Sequence, residues 1–123
     1  MAITLNATLR NARSTAIVTE AGATAKLSVY TSAYGTLLYT CTCAATLGTV
    51  SGGVLTFNAV GAGTGLAAGT AAIARLFKTD GTTMVIEGLT VGTTGTNIVI
   101  TNTTIAVSDS ITTSSATITE GNP

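Results

Sequence analysis

The sequence predicts a mainly β protein: an antiparallel, jelly-roll-like β-sandwich with an N-terminal α-helix, one domain over residues 1–123. Three observations predict it. First, threonine is the commonest residue and aromatic residues make up only 4% of the chain, so the core must come from Ala, Val, Ile and Leu beside stiff β-branched chains. Second, apolar and polar residues alternate in run after run beyond residue 24. Third, Gly-rich and Asp-Gly turns separate those runs at the short spacings of sandwiches and barrels.

The first element reads as a helix over about residues 6–20. Leu5, Leu9, Ala12, Ala16 and Ile17 recur on one face at helical spacing, and Arg10, Arg13 and Glu20 lie mostly off it. Asn6 is a natural cap and Gly22 a natural stop. Thr8, Thr15, Ile17, Val18 and Thr19 lower the intrinsic propensity, so this helix needs packing to persist.

Strands follow from about residue 25 to 119. Ala25, Leu27 and Val29 alternate with Lys26, Ser28 and Tyr30, the pattern of a half-buried strand. Leu37, Tyr39, Cys41 and Cys43 alternate with Thr36, Thr40 and Thr42. Val54 to Val60 follows Gly52-Gly53. Ala71 to Lys78 and Thr83 to Val91 flank Asp80-Gly81, a strong short hairpin signal. Asn97 to Thr101 and Ile111 to Thr119 complete the set, and the tail from Glu120 to Pro123 is expected to fray.

Gly61 to Gly69 reads as the most flexible stretch of the chain. Gly63-Thr64-Gly65-Leu66-Ala67-Ala68 matches a dinucleotide-binding pattern, but Gly69-Thr70 interrupts the helix that such a motif needs. A loop is the better reading.

Charge narrows the function. Five basic and five acidic residues cancel, and only 8% of the chain is charged, where a typical soluble domain carries about 25%. A surface so poorly charged tends to associate, so much of it is expected to be covered by partners. No basic patch offers itself to nucleic acid, and no apolar run of about 18 residues offers a membrane span. The start, Met1 to Leu5, lacks a basic region followed by an apolar one, so no secretory leader is expected. The chain contains no histidine, which removes the commonest general base and metal ligand. The carboxylates are scattered: Asp80 belongs to a turn, and Glu87 is expected on the solvent face or paired with Arg75 or Lys78 across the hairpin. Cys41 and Cys43 read as small buried hydrophobes, because a bridge between i and i+2 on one strand would strain the backbone. No enzyme activity, cofactor, metal or small-molecule substrate is expected.

The opening run from Met1 to Arg13 resembles the start of small structural proteins of tailed bacteriophages. So do Ser51-Gly52-Gly53-Val54-Leu55-Thr56, Arg75-Leu76-Phe77 ahead of Asp80-Gly81-Thr82, and the close from Ile111-Thr112 to Ile118-Thr119. The likeness runs over most of the chain and points to capsid decoration, or cement, proteins. It implies a β-sandwich subunit, made in the bacterial host cytoplasm, that sits on the outside of the major capsid protein shell. There it would bridge neighbouring shell subunits and resist the pressure of packaged DNA. Many copies on a repeating lattice let modest contacts add up, and a dimer or trimer would use its own patch symmetrically.

The candidate contact residues are Leu9, Arg10 and Arg13 on the helix, Tyr30, Tyr34 and Tyr39 around the first hairpin, and Gly63 and Gly65 in the loop. Tyrosine is favoured at interfaces because it joins apolar area to a polar tip. Two other readings stand beside this one. The scarcity of charge is also compatible with a tail, neck or fibre-associated subunit. A carbohydrate-binding module on a β-sandwich is the alternative from another class, and the absence of Trp argues against it.

Overall fold

Asn6 starts the first element for a local reason. Its Oδ1 accepts a hydrogen bond from the Leu9 N–H at 2.8 Å, which satisfies one of the open donors of a helix start. The computed structural model describes residues 6–119. Helix α1 spans Ala7–Ala21 and stops at Gly22, whose φ of +69° favours glycine and whose N–H donates to the Val18 carbonyl at 3.2 Å.

The helix is where the sequence placed it, but its buried face is not the expected one. Ser14 and Ala21 are buried, and Arg10, Asn11, Ile17 and Val18 are half-buried. Leu9 is 46% exposed, Ala12 and Ala16 are exposed, and Leu5 lies outside the described residues. Two stripes at helical spacing competed, and tertiary contacts chose between them. The Gly53 N–H donates to Asn11 Oδ1 at 2.7 Å, and the Arg10 side chain lies over Gly53. Those contacts set the rotation of α1 about its own axis.

Twelve strands follow among the described residues. They are β1 (Lys26–Tyr30), β2 (Leu37–Thr42), β3 (Gly48–Ser51), β4 (Val54–Phe57), β5 (Gly63–Thr64), β6 (Gly69–Thr70), β7 (Ile73–Phe77), β8 (Met84–Gly92), β9 (Ile98–Ile100), β10 (Thr104–Ile105), β11 (Ser110–Ile111) and β12 (Thr113–Thr119). Eight of them form one curled sheet in the order β2-β1-β7-β8-β9-β12-β4-β3. Two short ladders, β10 with β6 and β11 with β5, stand apart from it.

The sheet is mixed, which corrects the expectation of purely antiparallel pairing. β8 and β9 run parallel over Val91↔Ile98 and Gly92↔Val99. Asn97 holds the turn between them. Its Oδ1 accepts from the Thr90 N–H and hydroxyl, both at 3.0 Å, and its Nδ2 donates to the Thr117 carbonyl of β12 at 3.1 Å. One amide side chain thus joins three strands.

The core is aliphatic. Leu27, Val29, Leu38, Leu47, Leu55, Leu76, Ile98 and Ile100 are buried to within 1%. Each such side chain contributes about 1.5–3 kcal/mol through loss of water contact.

The Gly61–Gly69 stretch is not a free loop. The Gly61 N–H donates to the Thr42 carbonyl at 2.9 Å and the Leu66 N–H to the Leu38 carbonyl at 2.7 Å, so this segment closes the outer edge of β2. Its glycines serve close approach: a Cβ on Gly63 would stand 2.5 Å from the Tyr39 ring, and one on Gly65 2.0 Å from the Ala106 carbonyl oxygen. The expected mobility is therefore corrected, because lack of a side chain also permits tight packing.

Candidate functional site

The outward face of β2-β1-β7-β8 is assembled by alternation. Leu27, Val29, Ala74 and Leu76 point into the core, so Lys26, Ser28, Tyr30, Ile73, Arg75 and Phe77 point out. Cross-strand pairs confirm the register on this side. Lys26 Nζ donates to Thr42 Oγ1 at 2.8 Å, and the Ser28 and Thr40 hydroxyls lie 3.1 Å apart. Glu87 and Met84 join the same face from β8, opposite Arg75 and Phe77.

Three register shifts converge on it. One falls between Val29 and Tyr30, one between Ala74 and Arg75, and one between Leu76 and Phe77. Bulges re-aim side chains, and these sit beside the residues that form the centre of the face. The first shift also turns Leu37 outward, where it is 37% exposed, and sends Leu38 inward. The expected alternation from Leu37 to Cys43 therefore begins one step late.

Tyr34 is held over this face by a strained turn. Ala33 and Tyr34 have φ of +56° and +57°, the left-handed region that costs a non-glycine residue about 1–2 kcal/mol. Thr31 pins the turn at its base: its N–H donates to the Thr36 carbonyl at 3.0 Å, and its Oγ1 accepts from the Thr36 N–H at 2.9 Å. The second shift leaves Gly88, at φ +81°, as the extra residue on β8 between the Arg75↔Glu87 and Ala74↔Leu89 pairs. The Gly88 N–H donates to the Tyr34 hydroxyl at 2.7 Å.

The rings and charges then lock together. Tyr30 and Tyr34 meet edge to face with centroids 5.5 Å apart. The Arg75 guanidinium carbon stands 3.8 Å from the Tyr34 ring centre and 5.4 Å from that of Tyr30. Arg75 Nε donates to Glu87 Oε2 at 3.2 Å, as expected across the hairpin. The result is a rigid aromatic and cationic cluster at the surface, rimmed by Leu37, Ile73, Phe77 and Met84. Tyr, Phe, Met and Arg are the residues enriched where proteins bind each other, and preordered aromatics lose little freedom on binding.

The structure brings Tyr30 and Tyr34 together and separates them from the other candidates. Tyr39 is fully buried, with its ring against Gly63, which removes it from any surface role; burial pushes its phenol well above the usual range. Gly63 and Gly65 are buried as well. Leu9, Arg10 and Arg13 sit on α1, which packs against β3, β4 and β8. Sequence reasoning missed Arg75, Phe77, Met84 and Leu37 as surface partners of the tyrosines. The alternation of Arg75 and Phe77 beside Asp80-Gly81 was the available signal; the bulges left none.

Each described carboxylate has a protein partner. Glu20 pairs with Lys78 at 2.9 Å and Glu87 with Arg75. Asp80 Oδ1 accepts from the Thr82 and Thr83 N–H groups at 2.8 Å. Asp109 Oδ2 accepts from the Ala106 N–H at 2.9 Å, beside a small pocket that Asn102, Thr104 and Ser110 also line. Among the described residues no three metal-ligating side chains come together, and no helix is long and apolar enough to cross a membrane. No family model, curated protein or solved structure matches the chain.

Proposed function

We propose that this chain is a non-catalytic structural subunit of a tailed-phage particle, a decoration protein that binds the outside of the major capsid protein shell. The observation that carries the reading is the preordered Tyr30–Tyr34–Arg75 cluster on an outward sheet face of a chain of which only 8% is charged. Such a face has the composition of a docking surface, and its strain and bulges keep it presented without a ligand. The curled sheet would act as a sandwich-like, jelly-roll-style shell that holds this face rigid. Copies would associate as dimers or trimers at the symmetry axes of the shell, each adding a modest contact to a repeating lattice.

Mixing the purified protein with expanded empty phage shells tests the reading. Binding should saturate at a fixed copy ratio and raise the melting temperature of the shells. Tyr34→Ala and Arg75→Ala should weaken binding while the subunit stays folded. Indifference to shells, or full binding by both variants, would sink it.

A further inference from the structure

We propose that the docking face runs past the edge of the sheet to an apolar tip formed by Leu66 and Val107, which seats in an apolar hollow of the same shell protein that takes the tyrosine cluster; this extends the shell-binding reading above and rests on it.

Register builds the row that leads there. Cross-strand pairing aligns Ile73 of β7, Tyr30 of β1 and Leu37 of β2. Residues directly opposite on neighbouring strands share a face. Beyond β2 the row continues in the segment that closes its edge. The Leu66 N–H donates to the Leu38 carbonyl at 2.7 Å, so Leu66 stands beside the end of β2 that carries Leu37. The Ser108 N–H donates to the Gly65 carbonyl at 2.8 Å. Leu66 follows Gly65 and Val107 precedes Ser108, so this one bond brings both apolar residues to the same place.

Exposure rises along the row. Ile73 and Tyr30 are half-buried, Leu37 is 37% exposed, Leu66 59% and Val107 62%. Leu66 and Val107 are the two most exposed large hydrophobic residues among the described residues. Adjacent apolar side chains left in water favour a partner that covers them.

The tip is clamped rather than loose. The Gly65 N–H donates to the Asp109 carbonyl at 2.8 Å, the Asp109 N–H donates to the Ala106 carbonyl at 3.1 Å, and Asp109 Oδ2 accepts from the Ala106 N–H at 2.9 Å. Glycine at position 65 lets the two loops meet, since a Cβ there would strike the Ala106 carbonyl oxygen. Ser108 is held at φ +72°, as Ala33 and Tyr34 are held in the turn that carries the tyrosine. Strain of this kind persists where surrounding contacts fix a residue in place, and a fixed tip loses little freedom on docking.

Charge selects the kind of partner. Within residues 61–74 and 98–111 the one charged residue is Asp109, and its carboxylate is turned onto the Ala106 N–H. No lysine or arginine lies in either stretch to meet lipid phosphates. An uncharged tip at the end of a row that starts beside a Tyr–Arg cluster fits a protein surface with an apolar hollow next to its main contact.

Shell-binding titrations with the full chain test this. Leu66→Ser and Val107→Ser should each weaken binding to expanded empty shells about 10-fold, and the double variant more, while the melting temperature of the free subunit holds. Leu9→Ser, on α1 and outside the row, should bind as the parent does. Full binding by the double variant while Tyr34→Ala is weakened would overturn the tip and leave the shell reading standing. A parent chain that ignores shells would sink both. Equal weakening by Leu9→Ser would overturn the row as the contact. Uptake of the parent by phosphatidylcholine vesicles, or a changed oligomeric state of the double variant with shell binding intact, would give the tip to a membrane or to a second copy and overturn its assignment to the shell.

Discussion

The Arg75 guanidinium carbon stands 3.8 Å from the centre of the Tyr34 ring, although the two residues are far apart in sequence and arrive on different elements. Three further contacts depend on that stacking. Tyr30 meets Tyr34 edge to face, Glu87 Oε2 accepts a hydrogen bond from Arg75 Nε, and the Tyr34 hydroxyl accepts one from the N–H that the β8 bulge leaves at Gly88. The cluster should behave as one unit.

Tyr34→Leu and Arg75→Ala are therefore expected to remove the same ordered tyrosine signal. Near-UV circular dichroism of each single variant should lose the share of the band that Tyr30 and Tyr34 give, leaving that of the buried Tyr39, and the double variant should lose little more. Independent, additive losses would show that the cluster is not coupled.

Asp80 makes the β7–β8 turn sensitive to acid. Hydrogen bonds from the Thr83 hydroxyl, the Thr83 N–H and the Thr82 N–H hold its carboxyl down at about 2, below its ordinary value of 3.8. Because the folded state favours the charged form, its stabilisation is complete above about pH 4 and is lost as pH falls towards 2. Thermal melts of Asp80→Asn should show a lower Tm at pH 7 and a smaller fall in Tm between pH 4 and pH 2 than the parent.

The two thiols should be inert while the protein is folded. Burial pushes Cys41 up to about 11 and Cys43 up to about 12. A thiol-reactive dye at pH 8 should label neither until denaturant is added. The raised values also set an alkaline limit. Stability from these groups is present below the unfolded thiol range, near 9, and is lost as pH rises towards 11. Cys41→Ala with Cys43→Ala should flatten that alkaline loss.

Gly65 should not tolerate a methyl group. A Cβ there would stand 2.0 Å from the Ala106 carbonyl oxygen, which is backbone and cannot rotate away. Gly65→Ala is expected to lower stability by about 1–3 kcal/mol in urea titration, the usual cost of overpacking. Gly61→Ala meets only the Thr42 carbonyl at 3.1 Å and should cost less.

Much of the element order was readable before any fold was known. Period-two runs placed β1, β2, β4, β7, β8 and β12, and Asn6 and Gly22 bounded α1, because these signals act within a few residues. The Asp80-Gly81 hairpin offered Arg75 and Lys78 as partners of Glu87; the structure pairs Glu87 with Arg75 and Lys78 with Glu20. β3, β5, β6, β10 and β11 were not singled out: they are two to four residues long and carry no alternation to read.

The sequence by itself determined a threonine-rich, aliphatic, nearly uncharged β chain with one capped helix, because composition, period and capping are local properties. Tertiary structure decided everything that depends on which surfaces meet. It buried Tyr39 and drew Tyr34 out over Arg75. It turned α1 so that Ser14 faces in and Leu9 out, and it closed the glycine stretch onto the edge of β2. A bulge shifts register by a single residue and so moves a side chain to the opposite face, and a one-residue shift leaves no trace in periodicity.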